Sequence, residues 1–108
     1  ALLVIDMQRG FIEPGFSVAR IGFPVERLHA AIEPCRRLLA AARAAAVPVA
    51  HTRYVFEPGL TDGGVMVDLM LPDLRRENAL VRGTPDADII AELAPANGEP
   101  VFDKNRPS

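Results

Sequence analysis

The chain opens on four uninterrupted apolar residues, Leu2-Leu3-Val4-Ile5, closed by an acid, Asp6. A run with no polar alternation marks a strand covered on both faces, as in a parallel sheet. After a stretch with helical period, a second run, Val47-Pro48-Val49-Ala50-His51-Thr52, reads as another strand, with Pro48 tolerable only at its beginning. Strand, helix, strand in that order is a βαβ unit, two parallel strands joined by a right-handed crossover. This pattern places the chain among α/β architectures.

The helical stretch carries Cys35, Leu38, Leu39, Ala42 and Ala46 on one face, with Arg36, Arg37 and Arg43 opposite. Pro34 lacks a donor N–H and belongs in a first turn, so the expected elements are a short helix near Val25–Ala31 and a main helix over Pro34–Ala46. From Arg53 to Arg82 the chain makes an excursion punctuated by Gly59, Gly63, Gly64 and Pro72, with short helical turns expected around Val65–Leu71. The stretch Asp68 to Arg76 reads as a solvated or subunit-facing cover. Thr84-Pro85 supplies an N-cap and first-turn pair for a short helix over Asp86–Leu93. Asn97-Gly98 then turns the chain into a third strand, Pro100–Asp103. The expected fold class is α/β, a partial doubly wound parallel sheet with the first three strands only.

The chain's 108 residues suit one compact unit and are too few for two ordinary domains. The net charge of −2 comes with no Lys/Arg run or basic stripe, so neither nucleic acid nor an anionic membrane is expected as a partner. No stretch approaches the roughly 20 apolar residues that span a bilayer. The single cysteine, Cys35, rules out an intrachain disulfide and fits a reducing cytoplasm. Both ends read as cut, the first inside a strand and the last just after one, so the expectation is a fragment. A partial sheet with open edges is expected to be marginal or to pair with a second copy as a homo-oligomer.

Two residues stand where chemistry is done in such folds. Asp6 ends the first strand, and in open parallel sheets the ligand crevice lies outside the carboxyl ends of the strands. It reads either as a partly desolvated proton acceptor or as a cap of the following turn. Lys104 follows the third strand in the same way and reads either as the acid's partner or as a solvated lysine. If the strands are parallel and their tips lie side by side, carboxylate and ammonium share one crevice. Gly63-Gly64 has no phosphate-loop context, because no Lys-Ser/Thr follows.

The segment Leu2-Leu3-Val4-Ile5-Asp6-Met7-Gln8-Arg9-Gly10-Phe11 closely resembles the opening strand and loop of isochorismatase-like (cysteine) hydrolases. The stretch Arg37–Arg43 followed by Val47-Pro48-Val49 is similar to that family's first helix and second strand. Lys104-Asn105-Arg106-Pro107-Ser108 looks like its lysine motif. The resemblance implies a three-layer, Rossmann-like fold and a Cys–Asp–Lys triad, in which Asp6 takes the thiol proton and Lys104 supports the thiolate and the charged intermediate. It implies cleavage of a C–N bond in a small amide or ureido substrate through a covalent acyl intermediate, with Phe11 and Tyr54 lining the pocket and no cofactor. The family's nucleophile follows the lysine by one more strand and is expected beyond this chain. Cys35, on an apolar helix face, reads as a small buried hydrophobe rather than a substitute, and the piece alone is expected to be inactive.

Two other readings stay open beside this one: an enol-ether hydrolase that dispenses with the thiol, and a non-catalytic member used for assembly. No metal is expected. His29 and His51 lie far apart, and Tyr54 and Phe56 stand where the metal-binding branch of the family needs ligands.

Overall fold

A computed structural model describes residues 1–107. The elements run β1 (Leu2–Ile5), α1 (Arg9–Ile12), α2 (Ser17–Arg20), α3 (Glu26–Ala30), α4 (Ile32–Ala44), β2 (Val49–Tyr54), α5 (Asp73–Arg76) and β3 (Val101–Lys104). A 3-10 turn over Pro58–Leu60 and a π-helical turn over Met66–Met70 lie within the excursion, and 3-10 turns over Pro85–Ala87 and Ala91–Leu93 follow it. The strands form one parallel sheet in the order β1-β2-β3, with Leu2 opposite Val49 and His51 opposite Val101. The architecture is the expected α/β one.

The crossover helix α4 begins two residues before Pro34, which leaves the proline in the first turn, where a missing N–H costs nothing. Ala46, with φ at 54°, lies just past the helix end, and the Val47 amide folds back onto the Ala42 carbonyl. β2 therefore starts at Val49 rather than Val47 and runs on to Tyr54. On α4 the buried stripe is Leu39 and Ala42, with Ile32 and Cys35 packed beside it. Leu38, expected in that stripe, is 57% exposed. It sits one residue, about 100° of helix rotation, from Leu39, and only one of two adjacent leucines can face the sheet.

The sheet's two faces differ. Val4 and Val49 pack with Leu39, Ala42, Ile90 and Leu93 in one apolar cluster. Alternation along the strands turns Leu3, Ile5 and Phe102 the other way, and they are 50%, 56% and 58% exposed. The expectation that β1 is covered on both faces is thus corrected. Both α4 and the 91–93 turn lie on the Val4 side, which leaves Leu3 and Ile5 about half exposed. A second cluster, built on Tyr54, Phe56, Leu60, Val67, Leu74 and Leu80, fills the space under the excursion.

The helix expected over Asp86–Leu93 is instead two short turns on either side of an isolated bridge between Gln8 and Ile89. Its backbone groups are spent on the loop after β1. The Asp88 carbonyl accepts the Arg9 amide at 2.8 Å, and the Ile90 amide donates to Met7 at 3.0 Å. The Asp86 carboxylate is buried and accepts from the Ser17 amide, the Ser17 hydroxyl and the Leu80 amide. Thr84 precedes the first turn as expected, but its hydroxyl donates back to the Val81 carbonyl. These tertiary bonds satisfy the polar backbone better than one more turn of helix would.

Candidate active site

Asp6 leaves β1 in the left-handed region, φ 53°, which aspartate tolerates better than most residues. The turn is held by the Asp6 amide, which donates to the Thr52 carbonyl at 3.1 Å. It swings the carboxylate across the end of the sheet. Oδ1 accepts from the Thr52 hydroxyl at 2.7 Å, and Oδ2 accepts from Lys104 Nζ at 2.6 Å. The carboxylate and the ammonium side chain are only about a fifth and a quarter exposed (20% and 24%). Charge-assisted bonds of this length in a half-buried setting are the strong kind.

The strand tips do not lie side by side, as the sequence reading required: β2 separates them. Two strand spacings, about 9.6 Å, are bridged because the aspartate turns inward and the lysine's four-carbon stem reaches back over the β2 terminus. Lys104 also ends β3 rather than following it. In register it lies opposite Tyr54, and its Nζ stands 4.9 Å from that ring's centroid.

Phe11 meets Tyr54 edge to face at 6.3 Å, and Tyr54 meets Phe56 at 5.2 Å. Phe11 and Tyr54 are therefore neighbours beside the Asp6–Lys104 pair. The Tyr54 hydroxyl is buried with no hydrogen-bond partner among the described residues. Burial pushes its pKa up; nearby Arg106 opposes this, while Asp6 and Asp62 add to it.

Gln8, Thr52, Asp62 and Asn105 were given no role by the sequence reading. Gln8 is fully buried: its amide nitrogen donates to the carbonyls of Tyr54 and Ala87, and its oxygen accepts the Tyr54 amide at 2.6 Å. It ties the end of β2 to the loop after β1. Asp62 accepts from Asn105 Nδ2 at 2.8 Å and from the Glu57 amide at 2.9 Å, pinning the excursion to the segment after Lys104. Burial alone raises the Asp62 carboxyl, but these hydrogen bonds and the Arg106 guanidinium outweigh it and leave it below the ordinary value. Gln8 lies inside a recognised motif; Thr52 had no signal short of the strand register.

The remaining candidates lie elsewhere. Cys35 is on α4, packed against the Val4 face, while Thr52, Tyr54 and Lys104 share the opposite one. His51 is buried on the α4 side, its Nε2 at 2.9 Å from Glu99, and His29 is exposed on α3. Among the described residues no helix is long and apolar enough to cross a membrane.

Known proteins resemble this chain in sequence and fold. At 35% identity, a maleamate amidohydrolase from Pseudomonas putida matches 96% of this chain with 45% of its own length. A ureidoacrylate amidohydrolase, RutB, from Methylobacterium radiotolerans is 30% identical, with 97% of the chain and 45% of the relative covered. The crystal structure of a cysteine hydrolase from Pseudomonas syringae superposes on 96% of the chain with a TM-score of 0.80 at 35% identity, using 45% of its own residues. An isochorismatase family protein from Desulfovibrio vulgaris gives 0.74 at 34%, covering 97% of this chain and 52% of that one. The chain thus spans about half the length of these relatives. The family model of the isochorismatase domain matches residues 1–108, and the chain belongs to the isochorismatase domain family.

Proposed function

We propose that the complete protein hydrolyses the C–N bond of a small amide or ureido compound, with Asp6 and Lys104 as two of three catalytic groups. The observation that supports this most is the 2.6 Å contact between Lys104 Nζ and Asp6 Oδ2 at the carboxyl end of a parallel sheet. The relatives named amidohydrolases and the solved cysteine hydrolase point to the same chemistry. The third group is a cysteine thiol supplied C-terminal to residue 108; the relatives' greater length leaves room for it.

In this reading Asp6 accepts the thiol proton, and the thiolate sulfur bonds to the substrate carbonyl carbon. The C–N bond then breaks, the proton leaves with the amine or ammonia, and a thioester remains. Water, deprotonated by Asp6, attacks the thioester and releases the acid, returning the proton to the sulfur. Lys104 holds the carboxylate and offers positive charge beside the thiolate and the oxyanion. Thr52 fixes the second carboxylate oxygen, so Asp6 presents one orientation. Phe11 and Tyr54 wall the substrate's position.

In the complete protein Asp6→Asn keeps the shape and tolerates the same φ while removing the base and its charge. Turnover of amide substrates is expected to fall at least about 100-fold, with a folded protein whose melting temperature is lowered by loss of the Lys104 ion pair. Near-normal turnover removes Asp6 from the mechanism. Iodoacetamide labelling with peptide mapping identifies the thiol. A modified cysteine other than Cys35 whose labelling tracks inactivation supports the triad, and enol-ether cleavage that survives alkylation, with no amide turnover, favours an enol-ether hydrolase.

A further inference from the structure

Beside the acid–lysine pair, α1, the end of α2 and the excursion line a half-open cavity of about 270 Å³. Its walls include Phe11, Ile21, Phe56, Met66 and Leu74, and Tyr54 is the only wall side chain with an oxygen or nitrogen atom. Two of these residues also belong to the site. Lys104 stands over the Tyr54 ring, and Phe11 packs edge-on against Tyr54 and borders the cleft that holds Asp6. The cavity and the reacting groups therefore share a wall.

The chemistry of that wall selects its guest. A charged group moved into it loses its hydration and finds no counter-charge among the lining side chains, a cost of several kcal/mol. A water needs two to four polar partners, and an apolar chamber offers too few. An apolar cavity of about 150 Å³ already accommodates benzene, so this one has room for a ring or a branched chain.

We propose that this chamber is a substrate subsite for an uncharged aliphatic or single-ring aromatic substituent, carried on the amide whose carbonyl lies at the Asp6–Lys104 pair. The orientation of the substrate rests on the hydrolase reading above; the affinity for an apolar group does not. Recognition of a carboxylate-bearing amide is the opposite preference.

The experiment uses the complete protein. The kcat/KM values are measured for acetamide, butyramide, hexanamide, benzamide and succinamic acid. Binding of butanol and hexanol, which have no bond to hydrolyse, is followed by calorimetry. The expected result is a gain of roughly fourfold per added methylene in both series, with succinamic acid poorest at equal chain length. Ile21→Trp, which fills the chamber, is expected to cut the hexanamide-to-acetamide ratio at least tenfold. Ile21→Ala, which enlarges it, is expected to move the optimum to a longer chain.

Four outcomes are distinguishable. Length dependence in both series, abolished by Ile21→Trp, supports the subsite. Alcohol binding with that dependence but no amide turnover supports the subsite and removes the hydrolase reading. Amide turnover that ignores chain length or favours succinamic acid overturns the subsite and leaves the hydrolase reading standing. Neither turnover nor binding overturns both.

Discussion

Asp6 accepts two side-chain hydrogen bonds, and they do different things. The lysine bond supplies charge; the Thr52 bond supplies direction, because the threonine sits on a strand and its hydroxyl cannot follow a wandering carboxylate. Thr52→Val keeps the branched shape and deletes the donor. A hydrogen bond to a charged group is worth about 1.5–3 kcal/mol, so in the complete protein kcat is expected to fall roughly 10–100-fold while KM stays nearly constant. Thr52→Ser is expected to restore most of it, and a valine variant with unchanged kcat means the carboxylate needs no such guide. Gln8 works one layer further out, holding both the amide and the carbonyl of Tyr54. Asp6 was visible in the sequence because it closes an apolar run, and Lys104 because it directly follows the expected third strand, positions that topology turns into a sheet edge. Thr52 was invisible because its role depends on which residue of β2 lies opposite Ile5.

At the scale of elements, apolar runs and helical period located β1, β2 and the crossover helix, and the Asn97-Gly98 turn located β3. Their ends moved by one or two residues where local bonding intervened, as at Val47, whose amide stays with the helix. The misread helix over Asp86–Leu93 failed for a tertiary reason: its good cap signal competed with backbone bonds to the loop after β1 and with a carboxylate, Asp86, already committed to three donors. Adjacent leucines on α4 posed a phase question that hydrophobicity alone does not answer. The structure assigns burial to Leu39, 1% exposed, and not to Leu38. Leu39→Ala is therefore expected to cost about 2–5 kcal/mol through lost contacts and a cavity, and Leu38→Ala less than about 0.5 kcal/mol. Urea melts of the two variants check this, and a larger loss from Leu38→Ala than from Leu39→Ala would place the helix in the other phase.

Across the whole molecule, the end of the sheet opposite the candidate site is held by a charge cluster as well as by apolar packing. Glu99, just before β3, accepts from Arg43 on α4 at 2.8 Å, from the Ala96 amide, and lies 2.9 Å from His51 Nε2 on β2. It thereby joins the helix, the central strand and the edge strand. The Arg43 hydrogen bonds lead in pulling its carboxyl far below the ordinary value of 4.5, against burial, with the Ala96 amide and His51 assisting. Asp62 at the site and Asp103 on β3 are depressed too, Asp103 because Arg53 and Arg82 outweigh its burial. A carboxyl whose folded value is depressed stabilises fully above its unfolded value, and that contribution is lost as pH falls towards the folded one. In that window the unfolded chain binds more protons, so stability rises with pH. Melting temperature is expected to hold above about pH 5 and to fall steadily below the ordinary carboxyl value near 4.5. Glu99→Gln is expected to melt lower at neutral pH and to lose less on acidification, so the two curves converge in acid. Parallel acid limbs in thermal melts of the two proteins would mean that Glu99 keeps its charge at no gain to the fold, and that packing on α4 alone holds this end of the sheet.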